Sequence, residues 1–217
     1  MIIQALSDLH GFLPIVEPCN LLLLCGDIVS LQTQSTFKRG SIWYKEEFKP
    51  WAESTPSDKV IFIAGNHDIC IEGYEDYYKD LFPFNGKVTF LHHQAYDYQG
   101  IKIFGTPYCK EFLNWAYMRS DKELSELYKA IPDNLDILIT HDAPYGYTDI
   151  CLEGTSEHLG NKPLADAVLE KSPRYVLHGH LHSSSHEFEV LGNSKVVNCS
   201  YINEQYTPSY KPIKIEI

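Results

Sequence analysis

The chain has 217 residues, of which 44% are hydrophobic and 22% are charged, a balance typical of a soluble globular protein. Its formal net charge of −11 argues against an extended nucleic-acid surface, because affinity for a phosphate backbone comes largely from lysine and arginine. No apolar run reaches membrane-spanning length, and the N-terminus lacks the pattern of a secretory signal. We therefore expect one domain over residues 1–217, located in the cytoplasm, with six scattered cysteines as reduced thiols.

Five short apolar runs read as β-strands, and metal-binding side chains follow each of them. The runs cover residues 2–6, 21–24, 60–63, 137–139 and 175–177. The segments after them are Asp8-Leu9-His10, Gly26-Asp27, Gly65-Asn66-His67-Asp68, Thr140-His141 and Gly179-His180-Leu181-His182. Because a sheet gathers its strand ends along an edge, we expect one shared site. Oxygen and imidazole ligands without thiolates favour catalytic divalent metals over a structural zinc.

The remaining chain alternates helices with further strands. Helices are predicted near residues 41–53, 74–81, 121–130 and 162–171, the last with Asn161 as N-cap and Pro163 in its first turn. Further strands are predicted at residues 87–92, 95–98, 101–104, 187–191, 195–198 and 212–217, with a turn at Gln99-Gly100. Residues 30–40 and 144–160 read as loops. This order predicts two sheets flanked by helices.

The five polar segments, taken together and in order, resemble the signature of the calcineurin-like metallophosphoesterases: D-x-H, GD, GNHD, H and G-H-x-H. A finer similarity is to the small metallophosphoesterase-domain group related to class III cyclic-nucleotide phosphodiesterases. It rests on Ile103-Phe104-Gly105-Thr106-Pro107-Tyr108, Asn114-Trp115-Ala116-Tyr117, Thr140-His141-Asp142-Ala143-Pro144 with Gly146, and Tyr201-Ile202-Asn203 after Asn198. The resemblance implies an α/β (α+β) fold, a four-layer αββα sandwich of two mixed β-sheets flanked by helices. The same resemblance puts a dimetal site at the C-terminal ends of the strands.

The resemblance also implies roles for individual residues. One divalent ion takes Asp8, His10 and His182, the other takes Asn66, His141 and His180, and Asp27 bridges both. Such ligands accept Mn, Fe, Zn, Ni or Co. His67 is implied as the catalytic group that assists the leaving group or contacts the phosphate. Asp68 is expected to orient it, as carboxylates commonly orient imidazoles.

The segment 111–119 is a candidate lid over this site. In that interpretation Trp115 or Tyr117 stacks on a base and Arg119 pairs with a phosphate. The alternative is a structural one, in which the segment is an amphipathic turn that covers the edge of the sheet. The sequence leaves both interpretations open.

The function implied is that of a dimetal phosphoesterase, which hydrolyses a phosphodiester or phosphomonoester by attack of metal-bound hydroxide. The subgroup resemblance favours a small diester such as a cyclic nucleotide, so the expected partner is a small phosphate-ester substrate. A nuclease or a broad phosphatase is the alternative within catalysis. A non-catalytic binding or scaffold module on the same fold is a further alternative, which the complete set of ligands disfavours. Oligomeric state is not indicated by the sequence.

Overall fold

Two mixed β-sheets form the centre of the computed structural model, which describes residues 1–151 and 157–217. The first sheet contains β1 (Ile2–Leu6), β2 (Cys19–Cys25), β3 (Ser57–Ile63), β4 (Val88–Phe90) and β13 (Ile213–Glu216), in the order β13-β1-β2-β3-β4. The second contains β5 (Gln94–Tyr98), β6 (Ile101–Thr106), β9 (Ile137–Thr140), β10 (Tyr175–His178), β11 (Glu189–Leu191) and β12 (Ser194–Asn198), in the order β11-β12-β10-β9-β6-β5. A separate short pair joins β7 (Cys109–Lys110) to β8 (Met118–Arg119).

Parallel pairing within each sheet determines where polar loops can meet. Strands β1 to β4 are parallel to one another, as are β6, β9, β10 and β12. The antiparallel strands β13, β5 and β11 lie at sheet edges. The loops that follow β1, β2, β3, β9 and β10 therefore leave the C-terminal ends of parallel strands, which is the geometry expected for one shared site.

Helices cover the outer face of each sheet. They are α1 (Phe37–Trp43), α2 (Lys49–Ser54), α3 (Glu75–Leu81), α4 (Asp121–Tyr128) and α5 (Lys162–Lys171), with a π-helical turn (Tyr44–Phe48) between α1 and α2. One apolar cluster joins α1–α3 to the first sheet, a second fills the space between the sheets, and a third joins α4 and α5 to the second sheet. Three interlayer cores require four layers, so the predicted αββα sandwich is confirmed.

Strand β2 shows why a continuous apolar run suits this architecture. Leu22 and Leu24 belong to the core beneath the helices, whereas Leu21 and Leu23 belong to the core between the sheets. Successive side chains of a strand point to opposite faces, so a strand that is covered on both faces needs apolar residues at every position.

The helix predicted at residues 41–53 begins earlier, at Phe37. Its N-cap is Thr36, whose hydroxyl accepts a hydrogen bond from the backbone N–H of Arg39. The following π-helical turn ends at Phe48, and the N–H of the next residue, Lys49, donates to the carbonyl of Tyr44. Pro50 has no N–H for the usual helical bond, and such a residue commonly accompanies an irregular turn.

Several other local predictions are confirmed. Helix α5 has the predicted bounds, and the Asn161 side chain accepts from the N–H of Leu164 at 2.9 Å. Gln99 and Gly100 both have positive φ, 52° and 88°, as a tight two-residue hairpin turn requires. The loop predicted at 144–160 lies partly outside the described residues, because it includes 152–156. Among the helices of the described ranges, none has the length and apolarity needed to cross a membrane.

Candidate metal centre

Four of the predicted ligands have a strained backbone. The φ angles of Asp8, His10, Asp27 and His180 are 54°, 42°, 53° and 71°. Residues other than glycine rarely adopt this left-handed region, because Cβ approaches the carbonyl oxygen, at a cost of about 1–2 kcal/mol per residue. Strain of this kind persists where the surrounding structure holds it, and it is concentrated at functional sites.

Two glycines allow the loops to approach one another closely. A Cβ at Gly179 would overlap the hydroxyl of Ser7 and the carboxylate of Asp8. A Cβ at Gly65 would overlap the carboxylate of Asp27. The glycines that precede the ligands in Gly65-Asn66 and Gly179-His180 are therefore needed for the site to close.

Asp8, His10 and His182 form one half of the centre. All three are buried, and one ligand atom from each lies within 4.8 Å of the other two. Nε2 of His182 is 3.4 Å from Oδ1 of Asp8 and 3.4 Å from Nε2 of His10. Converging imidazole nitrogens beside a buried carboxylate fit a divalent cation.

Asp27 connects this half to His141. Its Oδ2 lies 3.3 Å from Nε2 of His141 and 3.6 Å from Nε2 of His10. Asp8, Asp27 and His141 form a second buried group whose ligand atoms lie within 4.8 Å of one another. The carboxylate of Asp27 is thus located between the two halves, where a bridging ligand would lie.

Asn66 and His180 adjoin the His141 side of the centre. Oδ1 of Asn66 accepts a hydrogen bond from Nε2 of His141 at 2.9 Å. The ring centroids of His141 and His180 are 5.2 Å apart, and the imidazole of His180 is outside both groups of converging atoms. The backbone N–H of His180 donates to both oxygens of Asp8, at 3.2 Å and 3.1 Å. All seven predicted ligands therefore lie together, with the ring of His180 at the margin.

Burial and nearby charges shift the pKa values of His10 and His141 in opposite directions. Burial lowers the pKa of His10 to about 4, which keeps its imidazole neutral. Burial alone would lower the pKa of His141 as well, but the carboxylates of Asp27 and Asp8 raise it to about 10. Burial would raise the pKa of Asp27, yet His141 and the other nearby imidazoles hold it well below its usual range. Nδ1 of His141 donates to the carbonyl of Cys25 at 2.8 Å, which orients the ring. Nε2 is therefore the nitrogen that would release its proton when a metal binds.

His67 lies at the edge of this centre and is half-buried. Its backbone N–H donates to Oδ1 of Asp27 at 2.7 Å, and its ring centroid is 4.8 Å from that of His10. Nδ1 of His67 donates to Oε1 of Gln34 at 2.8 Å. The half-buried ring of Trp115 lies over it, with centroids 4.2 Å apart. The side chain is thus held in place beside the predicted ligands.

The described hydrogen bonds of the Asp68 carboxylate go to groups other than His67, so its predicted orienting role stays a prediction. The carboxylate is buried and accepts hydrogen bonds from the backbone N–H groups of Ile28, Val29 and Gly65 and from the hydroxyl of Tyr44. Burial and the nearby Asp27 raise the pKa of Asp68 to about 6. Through these hydrogen bonds Asp68 joins two turns. One follows β2 and carries Asp27, and the other follows β3 and carries Asn66. Gln34 supplies the contact to His67 that was expected of Asp68.

We expect Asp68→Asn to act mainly on stability. The amide nitrogen cannot accept the hydrogen bonds that a carboxylate oxygen accepts, and a buried donor left unpaired costs about 1–3 kcal/mol. The free energy of unfolding should fall by about 2–3 kcal/mol, and the melting temperature by about 4–12 °C for a chain of this size. Thermal denaturation measures this, with Tyr44→Phe as a control that removes only one donor. Unchanged melting together with reduced turnover would instead support the orienting role.

The three predicted substrate-binding residues lie in different surroundings. Trp115 is half-buried against His67, whereas Tyr117 is fully buried and donates its hydroxyl to Oε1 of Glu75 at 3.3 Å. Both terminal nitrogens of Arg119 donate to Oε1 of Glu72 at 3.2 Å. A buried tyrosine cannot stack on a substrate, and the charge of Arg119 is already paired. Of the three, only Trp115 reaches the centre.

Within the described ranges, three further side chains contact the predicted site residues without having been predicted. Besides Gln34, these are Ser200, whose Oγ donates to Oδ2 of Asp8 at 2.7 Å, and Tyr206. The ring of Tyr206 lies 5.0 Å from that of His10 and 5.3 Å from that of His182. Ser200 follows β12 at the same sheet edge, so its position after a strand was a usable signal. Gln34 and Tyr206 lie in polar loops that carry no such signal.

Comparison with known proteins agrees with this geometry. Residues 2–184 match the family model described as calcineurin-like phosphoesterase. The human metallophosphoesterase domain-containing protein 1 is 28% identical over 97% of this chain and 69% of its own length. Solved structures with the same fold include TT1561 of Thermus thermophilus, at 17% identity and a TM-score of 0.64, which covers 91% of this chain and 88% of that one. A phosphopantetheinyl hydrolase from Mycobacterium tuberculosis gives 13% identity and a TM-score of 0.58 over 94% of this chain and 90% of its own. The chain belongs to the calcineurin-like phosphoesterase family and is a metal-dependent phosphoester hydrolase.

Proposed function

We propose that the protein hydrolyses a small phosphodiester with two divalent metal ions, a cyclic nucleotide being the diester that the sequence resemblance favours. The observation that carries the proposal is the position of His67, a half-buried imidazole beside a cluster of buried metal-binding side chains. Two divalent ions in such a cluster supply an activated water molecule and neutralise charge on the phosphoryl oxygens. The residues of this chain hold the ions, orient the ester and supply a proton.

In this proposal one ion would be held by Asp8, His10 and His182, and the other by Asn66, His141 and His180. Asp27 would serve both, and the location of its Oδ2 between His10 and His141 supports this. The hydroxyl of Ser200 and the N–H of His180 fix the carboxylate of Asp8. Manganese is a suitable occupant of this oxygen and nitrogen ligand set, as are Fe, Zn, Ni and Co.

His67 is the proton donor in the proposed reaction. The water oxygen forms a bond to phosphorus, the bond from phosphorus to the leaving oxygen breaks, and that oxygen takes a proton from His67. The proton that water releases restores the proton on His67. Gln34 accepts from Nδ1 of His67, so the other ring nitrogen is left to carry the transferred proton. A histidine suits this task because its charge changes near neutral pH.

A panel of phosphomonoesters, linear diesters and cyclic nucleotides, assayed with Mn and with Zn, tests the proposal. We expect turnover of diesters that a chelator removes and added metal restores. Turnover of monoesters alone would contradict the diester proposal, and the absence of turnover with metal bound would favour a scaffold module. Long polynucleotides are assayed beside these small esters, and their hydrolysis would indicate a nuclease. The net charge of −11 disfavours that activity.

Trp115→Ala should raise KM for a nucleotide substrate and change it little for p-nitrophenyl esters. Stacking on a base is worth about 1–3 kcal/mol, and only a substrate with a base can use it. Tyr117→Ala is the matched control, because this buried neighbour should lower the melting temperature and leave the two substrates equally affected. If Trp115→Ala acts on both substrates alike and also lowers the melting temperature, the ring is structural.

The proposed location is the cytoplasm. All six cysteines are free thiols, and five of them are buried. Free thiols persist in reducing compartments, which supports this proposal.

A further inference from the structure

An apolar cavity opens beside the predicted ligand His180. Its volume is about 170 Å³, and its walls are formed by Lys110, Phe112, Asp142, Leu159, His180 and Leu181. Phe112, Leu159 and Leu181 come from three separate loops, and Phe112 remains 58% exposed. The cavity therefore shares one wall residue, His180, with the predicted ligand set, and Phe112 separates it from solvent only in part.

The charged groups in the wall already have hydrogen-bond partners, in the backbone and in the side chain of Asn161. Nζ of Lys110 donates to the carbonyls of Leu159 at 2.9 Å and Gly160 at 3.2 Å. Oδ2 of Asp142 accepts from the N–H of Lys110 at 2.9 Å and from Nδ2 of Asn161 at 3.1 Å. Because these polar groups are engaged within the wall, the cavity suits an apolar guest better than a polar one.

The size of the cavity limits the guest to about one ring. An apolar cavity of about 150 Å³ in another protein binds benzene. A cavity of about 170 Å³ therefore accommodates a single aromatic ring or a short branched alkyl group.

The cavity is distinct from the place where a leaving group would depart. A leaving oxygen must reach His67, whose ring contacts those of His10 and Trp115. The walls of the cavity contain none of these three residues and include His180 instead. A group in the cavity is therefore close to the centre but away from the proposed proton donor.

We infer that this cavity receives the organic group that stays on phosphorus when a diester is cleaved, and that this group is apolar and about one ring in size. The oxygen of water bonds to phosphorus, and the bond from phosphorus to the other alkoxy or aryloxy oxygen breaks. That group leaves as the alcohol or phenol with a proton from His67, the proton released by water restores His67, and the product is a monoester that keeps the group held in the cavity. The inference rests on the proposed phosphodiester hydrolysis and assigns the substrate to linear diesters with two separate organic groups, in place of the cyclic nucleotide that the sequence resemblance favours.

The kinetic test uses two diesters that share the p-nitrophenolate leaving group and differ in the retained group, phenyl or methyl. We expect kcat/KM to be about tenfold or more higher for the phenyl ester, because a well-filled apolar pocket discriminates by about 10- to 200-fold. Phe112→Ala should reduce this preference at least about fivefold. Phe112 is exposed, so the variant is expected to fold. Leu113→Ala is the matched control, since this neighbour is 78% exposed and absent from the wall of the cavity.

An equilibrium measurement gives a second readout. Calorimetric titration of the metal-loaded protein with phenylphosphonate and methylphosphonate should show tighter binding of the phenyl compound, and Phe112→Ala should weaken only that binding. Hydrolysis of both diesters at equal rates, with equal binding of both phosphonates, would overturn the cavity assignment and leave the proposed function standing. Failure to hydrolyse either diester with both metals bound would overturn the proposed function itself.

Discussion

Asp27→Asn is expected to reduce turnover by more than about a hundredfold and by more than substitution of any terminal ligand. Loss of a group that merely supports a ligand already costs about 10- to 100-fold in metal affinity or activity. Oδ2 of Asp27 lies near both His141 and His10, so its replacement weakens both halves of the centre and removes a charge that offsets two cations. Steady-state kinetics and metal analysis of the same preparation measure the effect.

The substitution is well controlled, because the amide oxygen of asparagine can still accept the hydrogen bond from the N–H of His67. Loss of activity would then report on the metals rather than on the turn. His182→Ala is the comparison, since it removes a terminal ligand from one half only. Near wild-type turnover of Asp27→Asn with both metals retained would contradict the bridging role.

The strand ends and their polar residues could be predicted from the sequence because both follow from short local patterns. An apolar run such as residues 21–24 reads as a strand that is buried on both faces, and β2 has this property. The polar residue after each run then lies at the sheet edge, whatever the loops between the strands do. This is why Asp8, Asp27 and His141 were placed together correctly although more than 100 residues separate the first from the last.

Contacts between the loops could not be predicted in the same way. His67 and Asp68 are adjacent, yet within one tight turn the first faces the ligands and the second faces Ile28 and Tyr44. Adjacency in sequence favoured a pair, whereas the described hydrogen bonds of the two side chains go to different partners. Gln34, which does contact His67, is 33 residues away in a polar loop.

The orientation of the rings in segment 111–119 could not be predicted from the sequence either. Trp115 and Tyr117 both looked suited to stack on a base. Pairing of β7 with β8 closes the loop between them, so that Tyr117 is buried while Trp115 lies on His67. The orientation of each ring depends on this closure, which has no pattern in the local sequence.

His67→Ala is expected to lower turnover of esters with alkyl leaving groups by about a hundredfold to ten-thousandfold, the usual contribution of general acid–base catalysis. The loss should be much smaller for p-nitrophenyl esters, because p-nitrophenolate departs readily without a proton. Metal content should stay unchanged, since the ring of His67 is not one of the predicted ligands and the substitution keeps the backbone N–H that donates to Asp27. Comparing the two classes of ester on one preparation therefore measures proton donation separately from metal binding.

Gln34→Ala extends the same test to the residue that holds the imidazole. It removes the 2.8 Å hydrogen bond to Nδ1 of His67 and leaves the ring itself in place. We expect the same selectivity for alkyl esters as in His67→Ala, with a smaller loss, and partial recovery in Gln34→Glu, which retains an acceptor oxygen.

Loss of metal from His67→Ala would identify its ring as a ligand. Equal losses on alkyl and p-nitrophenyl esters would show that His67 does not protonate the leaving group, and the role of Gln34 would then be to shape the loop rather than to direct a proton.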